Sequence, residues 1–211
     1  MEVTYKTQGI ILTREPYGED DSRVFIYTPD FGKLDLIARG TQKLSSKLAA
    51  HIEPLNFGEI MAIRGKQYDY LGSAISENIF AGIKSDYDKM AIAGEIVKLI
   101  NGAIKEKQAE PEIFLLLKDF LNILNIDAKP AAFSFDILKL VFILKFLSLL
   151  GYAPNFDNLE LGDFKISQSS ADLLKNLQQQ EFGEIVRFDL EPDTVKELGG
   201  IIERYRVYLL A

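Results

Sequence analysis

Cysteine is absent from all 211 residues, which excludes disulfides and thiolate-held metal. The absence fits a reducing cytoplasm, and a cytoplasmic protein is the expectation. Histidine occurs once, at His51. Any Ser-His-Asp or Cys-His constellation would have to centre on it, yet it follows Ala49-Ala50 with no nucleophile-elbow pattern nearby. Walker and dinucleotide-binding glycine patterns are missing, and Arg64-Gly65-Lys66 is too short for either. No enzyme signature survives, and no cofactor is implied. Long apolar runs are lacking too. The richest stretch, Ile137 to Leu150, is interrupted by Lys139 and Lys145 and falls short of the roughly 20 residues that span a bilayer. Met1–Lys6 has no basic segment followed by an apolar one, so a secretory leader is not expected. A basic excess is also missing. The net charge of −7 argues against a protein coated in positive charge.

What is present is an ordinary globular composition, 47% hydrophobic and 26% charged, long enough for one large domain or two small ones. Residues 1–80 read as β. Segments rich in β-branched and aromatic residues recur at Thr4–Thr13, Arg23–Thr28, Lys33–Ala38, Leu55–Arg64 and Tyr68–Ser76. Pro29-Asp30-Phe31-Gly32 and Arg64-Gly65-Lys66-Gln67 supply turns between them. Five short strands suit a small closed barrel, which hides its sheet edges.

The period changes after Phe80. Met90, Ala93, Ile96, Val97 and Ile100 recur at helical spacing, and a second stripe follows Pro111. Residues 134–150 are apolar almost all round and predict a central buried helix, with Gly151 as its stop. Residues 155–168 read as a loop or short hairpin, and 169–179 and 193–210 as the last helices. The expected class is α+β: a five-stranded OB barrel over 1–80, then a mainly helical domain over 81–211 with a short insertion near 155–168.

Charge is better read locally. Between Ile37 and Ile52 lie Arg39, Lys43 and Lys47 without a single acid. An OB barrel holds single strands by pairing a cationic groove with aromatic faces on which bases stack. Arg23, Lys33, Arg39, Lys43, Lys47, Arg64 and Lys66 are the candidates to meet phosphates. Tyr17, Tyr27, Phe31, Tyr68 and Tyr70 are the candidate platforms, although alternation along barrel strands buries half of such side chains. Glu19-Asp20-Asp21 is the one dense acidic triplet. Consecutive residues on a strand point to opposite faces, which disfavours a shared Mg²⁺ and favours a structural use.

The order Thr7-Gln8-Gly9-Ile10-Ile11-Leu12, Tyr17-Gly18-Glu19-Asp20-Asp21-Ser22-Arg23-Val24, Tyr27-Thr28, Phe31-Gly32-Lys33 and Ala38-Arg39-Gly40 resembles the opening of the RecO family of DNA repair and recombination mediators. Leu149-Leu150-Gly151-Tyr152-Ala153-Pro154-Asn155 resembles the family's junction after its central helix. Many family members continue there with a four-cysteine zinc ribbon. Phe156-Asp157-Asn158-Leu159-Glu160-Leu161-Gly162 stands in its place here, so zinc is not carried over and the chain reads as a reduced member. A hairpin held by Phe156, Leu159, Leu161 and Phe164 is expected to replace the ribbon.

The resemblance implies a non-enzymatic protein that binds single-stranded DNA (double-stranded DNA staying open), anneals complementary strands and helps load a RecA-type recombinase with RecR and SSB. It also implies that the helical domain receives the acidic, apolar C-terminal tail of SSB. Lys139, Lys145, Arg204 and Arg206 are the candidate cations for that tail. The acidic total favours a second reading: a protein–protein adaptor of the recombination machinery with little direct DNA contact.

Overall fold

A computed structural model describes residues 3–126, 134–185, 187–188 and 190–210. The expected strands form, with β1 over Thr4–Tyr17, β2 over Asp21–Thr28, β3 over Gly32–Ala38, β4 over Phe57–Ile63 and β5 over Asp69–Asn78. They close into a barrel in the order β1-β2-β3-β5-β4.

β1 runs four residues past its expected end and is shared between two neighbours. Its first half pairs with β4, from Thr4 opposite Ile63 to Ile10 opposite Phe57. Its second half pairs with β2, as far as Tyr17 opposite Asp21. A register shift between Ile11 and Thr13 supplies the bulge that bends one strand around the corner. Closure comes from a short parallel contact of β3 with β5, Leu36 beside Asp69 and Ile37 beside Tyr70.

The barrel is filled by Ile11, Val24, Ile26, Leu34, Leu36, Ile60 and Leu71, with Ile52 from a 3₁₀ turn (Ala49–Ile52) plugging the interior. Burying each large aliphatic side chain contributes about 1.5–3 kcal/mol. Gly9 is required by this packing, because a Cβ there would come within 2.6 Å of the Ile26 side chain.

The helices follow as α1 (Ala81–Lys84), α2 (Tyr87–Ala103), α3 (Pro111–Leu124) and α4 (Ser134–Leu149), then a β6–β7 hairpin (Glu160–Leu161 and Phe164–Lys165), α5 (Gln168–Gln179), α6 (Phe182–Ile185) and α7 (Pro192–Leu210). The Asp86 side chain caps α2 by accepting from the Asp88 and Lys89 amides, and Ser167 caps α5 through Ser170.

Packing divides the chain into compact units of 1–118 and 119–211. Strand gives way to helix near residue 80, as the sequence pattern indicates, but the first packing unit extends well past that point. α2 packs against β1. Lys33 Nζ donates to the Asn101 carbonyl at 2.6 Å, the Lys107 amide donates to the Lys33 carbonyl, and Tyr27 meets Phe114 with its hydroxyl donating to the Glu110 carbonyl. Gly32 permits the close approach of this segment. It has φ +67°, and a Cβ on it would come within 2.1 Å of the Gln108 carbonyl oxygen.

In the second unit α4 is buried on nearly every side, as its composition predicts. Phe142 stacks with Phe146 and Phe182 and meets Phe120 edge-on. The β6–β7 hairpin occupies the stretch where a zinc ribbon could have stood. Leu161 and Phe156 are buried within it, Gly162 turns at φ +61° against the Tyr208 ring, and Arg204 lies over Phe164 at 4.3 Å. Among the described residues no helix is long and apolar enough to cross a membrane.

Candidate nucleic-acid interface

The outward side chains of β2 are Asp21, Arg23 and Phe25, alternating with buried Ser22, Val24 and Ile26. Toward Thr28 this face is covered by residues 106–114, so it opens only at the other end. There the β1–β2 turn (Gly18-Glu19-Asp20) and the β4–β5 turn (residues 64–68) come together. In OB folds the β2–β3 face and these two loops form the oligonucleotide cleft.

Three of the five candidate aromatic platforms meet at this place. Tyr17 lies edge-on to Tyr68 with ring centroids 6.3 Å apart, and the Arg39 guanidinium sits over Tyr70 at 4.3 Å. A hydrogen bond with Tyr68 raises the Tyr17 hydroxyl above its ordinary titration range, Tyr70 adds to this, and Arg23 opposes it. Tyr17 and Tyr68 are exposed. The other two candidates are committed elsewhere. Tyr27 is wholly buried against α3, and Phe31 packs on Tyr5 at 4.5 Å beside the barrel core.

The seven candidate cations separate in the same way. Arg39, Lys47, Arg64 and Lys66 are exposed and make no ion pair among the described residues. Arg23 is engaged by Asp35 through two hydrogen bonds, 2.9 and 2.5 Å, which hold its guanidinium all the more firmly protonated. Lys43 faces Asp20 at 3.0 Å. Lys33 is buried, with its ammonium on the Asn101 carbonyl near the C-terminal end of α2, where the helix dipole favours a cation. The structure gives it an anchoring role in the fold.

Two members of the acidic triplet, Asp20 and Asp21, are tied into the fold. Asp21 accepts from the Gly40 amide at 2.7 Å, the Asp20 carbonyl accepts from the Gln42 amide, and the Gln42 side chain donates to the Asp21 carbonyl. These contacts staple the β1–β2 turn to the loop that carries Arg39, Lys43 and Lys47. His51 is structural as well, its Nδ1 accepting from the Ser76 amide at 3.2 Å. No group of three or more metal-ligating His, Cys, Asp or Glu side chains exists among the described residues.

Sequence reading passed over Arg14, which fixes the root of the cationic loop. It donates to the Thr41 carbonyl at 2.9 Å, the Ala49 carbonyl at 3.2 Å and the Ser22 hydroxyl, and it pairs with Glu53. Thr41 in turn donates to Ser22 at 2.8 Å. No sequence signal marks it, since two of its four acceptors are backbone oxygens and three of the four belong to residues more than 25 positions away. The loop's tip presents Leu44 fully exposed.

The four helical-domain candidates lie on two helices that pack together, Lys139 and Lys145 on α4 and Arg204 and Arg206 on α7. Arg206 pairs with Glu203 and holds that carboxyl below the usual range, with Lys139 adding to the effect. Arg204 pairs with Asp163 at 3.4 Å on the hairpin. Lys145 is half-buried on α4.

A closed five-stranded barrel with an aromatic and cationic open end, followed by a helical region, defines an OB-barrel protein of α+β class. Comparison with known proteins narrows this. The family description "Recombination protein O N terminal" matches residues 1–80, and "Recombination protein O C terminal" matches residues 84–159. The DNA repair protein RecO of Clostridium perfringens is 31% identical over 77% of this chain and 64% of its own length. Those of Acetivibrio thermocellus and Clostridium novyi are 25% and 28% identical, over 95% and 97% of this chain and 89% and 74% of their own lengths. The chain thus spans just under two thirds of the first of these relatives and more of the other two. It belongs to the RecO family of DNA repair and recombination proteins.

Proposed function

We propose that this protein is a recombination mediator that binds single-stranded DNA on the open end of its barrel and anneals complementary strands. The observation that carries the reading is the convergence of Tyr17, Tyr68 and Tyr70 with Arg39 where the two barrel turns meet. Exposed rings stack bases without regard to sequence, and Arg39, Lys47, Arg64 and Lys66 screen the phosphates. Annealing makes and breaks no covalent bond, so binding of this kind suffices and no catalytic group is required. Residues 1–80 serve as the DNA-binding part and 81–211 as the helical part. RecR and the SSB tail are the partners, with Lys139, Lys145, Arg204 and Arg206 as the cations that would engage the tail. A RecA-type recombinase would be loaded onto the strand so prepared.

The test is annealing of complementary oligonucleotides by a variant with Arg39, Lys43 and Lys47 all changed to Ala, beside Tyr68→Ala. Base stacking on an aromatic contributes about 1–3 kcal/mol, so Tyr68→Ala should weaken single-strand binding about fivefold or more. Annealing that persists unchanged in both variants would remove the proposed interface.

The adaptor reading draws support from Asp35 on Arg23, Asp20 on Lys43 and the burial of Lys33, which leave fewer cations for phosphate. It expects negligible oligonucleotide binding even at low salt.

A further inference from the structure

The loop between β3 and the 3₁₀ turn carries one large side chain that folding does not use. Leu44 is fully exposed, whereas Leu48 in the same loop packs against the barrel core. The Ser46 amide donates to the Lys43 carbonyl at 2.9 Å, so Leu44 and Ser45 occupy the two central positions of a tight turn. Glycine, proline, asparagine, aspartate and serine normally fill such positions, and an aliphatic residue there holds its side chain out in water. The turn has a fixed root. Arg14 donates to the Thr41 and Ala49 carbonyls, the Gly40 amide donates to Asp21 at 2.7 Å, and the Gln42 amide donates to the Asp20 carbonyl at 2.8 Å. Lys43 and Lys47, both exposed, flank the leucine. The loop is continuous with the rings of the proposed interface, because Arg39 at its start lies over Tyr70 and Lys43 pairs with Asp20 in the turn that follows Tyr17.

We infer that Leu44 is a wedge that inserts between successive bases of a single strand, while Lys43 and Lys47 hold the phosphates on either side. The inference rests on the proposed single-strand binding and adds to it a residue that acts on stacking rather than on charge. An apolar side chain driven between bases unstacks them, and an unpaired strand yields at lower cost than a duplex. The gain is removal of the leucine from water, and a loop already rooted in the barrel loses little entropy on binding. Opened steps leave base edges free for a complementary strand, which annealing requires. From Gly40 to Lys47 every other residue is polar, charged or glycine, so the loop presents no apolar patch to a folded partner. One leucine is also far too small for membrane attachment, where even a whole acyl chain binds only marginally.

The sequence contains no tryptophan, so Leu44→Trp introduces a single indole at the tip of the loop in the otherwise intact full chain. Binding of a labelled oligothymidine is followed by anisotropy alongside the indole emission. Oligothymidine should quench that emission saturably, and an abasic strand of the same length, which offers phosphates without bases, should leave it unchanged. Leu44→Ser should weaken oligothymidine binding about three- to tenfold without altering the salt slope or the melting temperature. Leu44→Met, still long and apolar, should bind as the wild type does. A 2-aminopurine placed between adenines should brighten on binding to the wild type, as unstacking relieves its quenching, and brighten less with Leu44→Ser. If oligothymidine binds but leaves the indole unquenched, or if Leu44→Ser binds and brightens as the wild type does, the wedge is wrong and the surrounding interface stands. If the wild type binds no oligonucleotide, the interface falls and the wedge with it. Indole emission that shifts to the blue with phosphatidylglycerol vesicles and ignores oligothymidine would also overturn the inference, making the loop a membrane contact.

Discussion

Raising salt should weaken oligonucleotide binding along a shallow slope, because three of the seven cations that the sequence nominates are already occupied. Arg23 is held by Asp35, Lys43 by Asp20, and Lys33 is buried on the Asn101 carbonyl. Each phosphate neutralised on a single strand contributes about −0.7 to the slope of log affinity against log salt. Arg39, Lys47, Arg64 and Lys66 together give a slope of about −3, whereas all seven would give about −5. Between about 50 and 200 mM salt the first slope costs roughly 50-fold in affinity and the second roughly 900-fold. Fluorescence anisotropy of a labelled oligothymidine across a salt series separates the two. Changing Arg39 and Lys47 together to Ala should halve the slope. Lys33→Gln should leave it unchanged while lowering folding stability by about 2 kcal/mol, because a charge-assisted hydrogen bond is lost. A slope near −5, or one that responds to Lys33→Gln in a protein that is still folded, would refute this division of the cations.

Tyr27→Phe should cost about 1 kcal/mol in urea unfolding at neutral pH, since the Glu110 carbonyl loses its donor. Burial holds the native Tyr27 hydroxyl above its ordinary value of 10.0, so its share of stability is intact below that pH and is lost as pH climbs past it. Unfolding curves taken at increasing alkalinity should therefore converge for wild type and variant, and curves that stay parallel would count against the assignment. Arg14→Ala should destabilise the barrel by about 2–3 kcal/mol, and hydrogen exchange should quicken selectively in residues 39–53. Gly32→Ala should cost more than about 2 kcal/mol by thermal melting, because it combines a left-handed backbone with a collision at Gln108.

The barrel and the long helices were legible because their signals are local. Two-residue alternation, the Pro29–Gly32 turn and the apolar stripes of α2 and α3 can all be seen in a short window. β1 was cut short because Arg14-Glu15-Pro16-Tyr17 carries polar side chains and a proline, and only its pairing with β2 makes it strand. The candidate interface was legible by residue type but not by partner. Nothing in the sequence tells that Lys33 turns toward Asn101, or that Tyr17 and Tyr68 become neighbours while Tyr27 disappears beneath Phe114. Those outcomes depend on contacts between residues far apart in the chain, which periodicity does not encode. The short pieces (the 3₁₀ turn, α1 and α6) were missed because a single turn of helix has no period to detect.

Under the proposed strand binding, the acidic residues wedged among the basic ones would have a kinetic consequence. A strand settling on Lys43 or Arg23 must first displace Asp20 or Asp35, so it swaps one anion for another and gains little attraction at those points. Built-in competitors of this sort keep residence times brief. For the annealing proposed above, such a grip would let two complements meet and then be released, since the protein's own side chains stand ready to take it back.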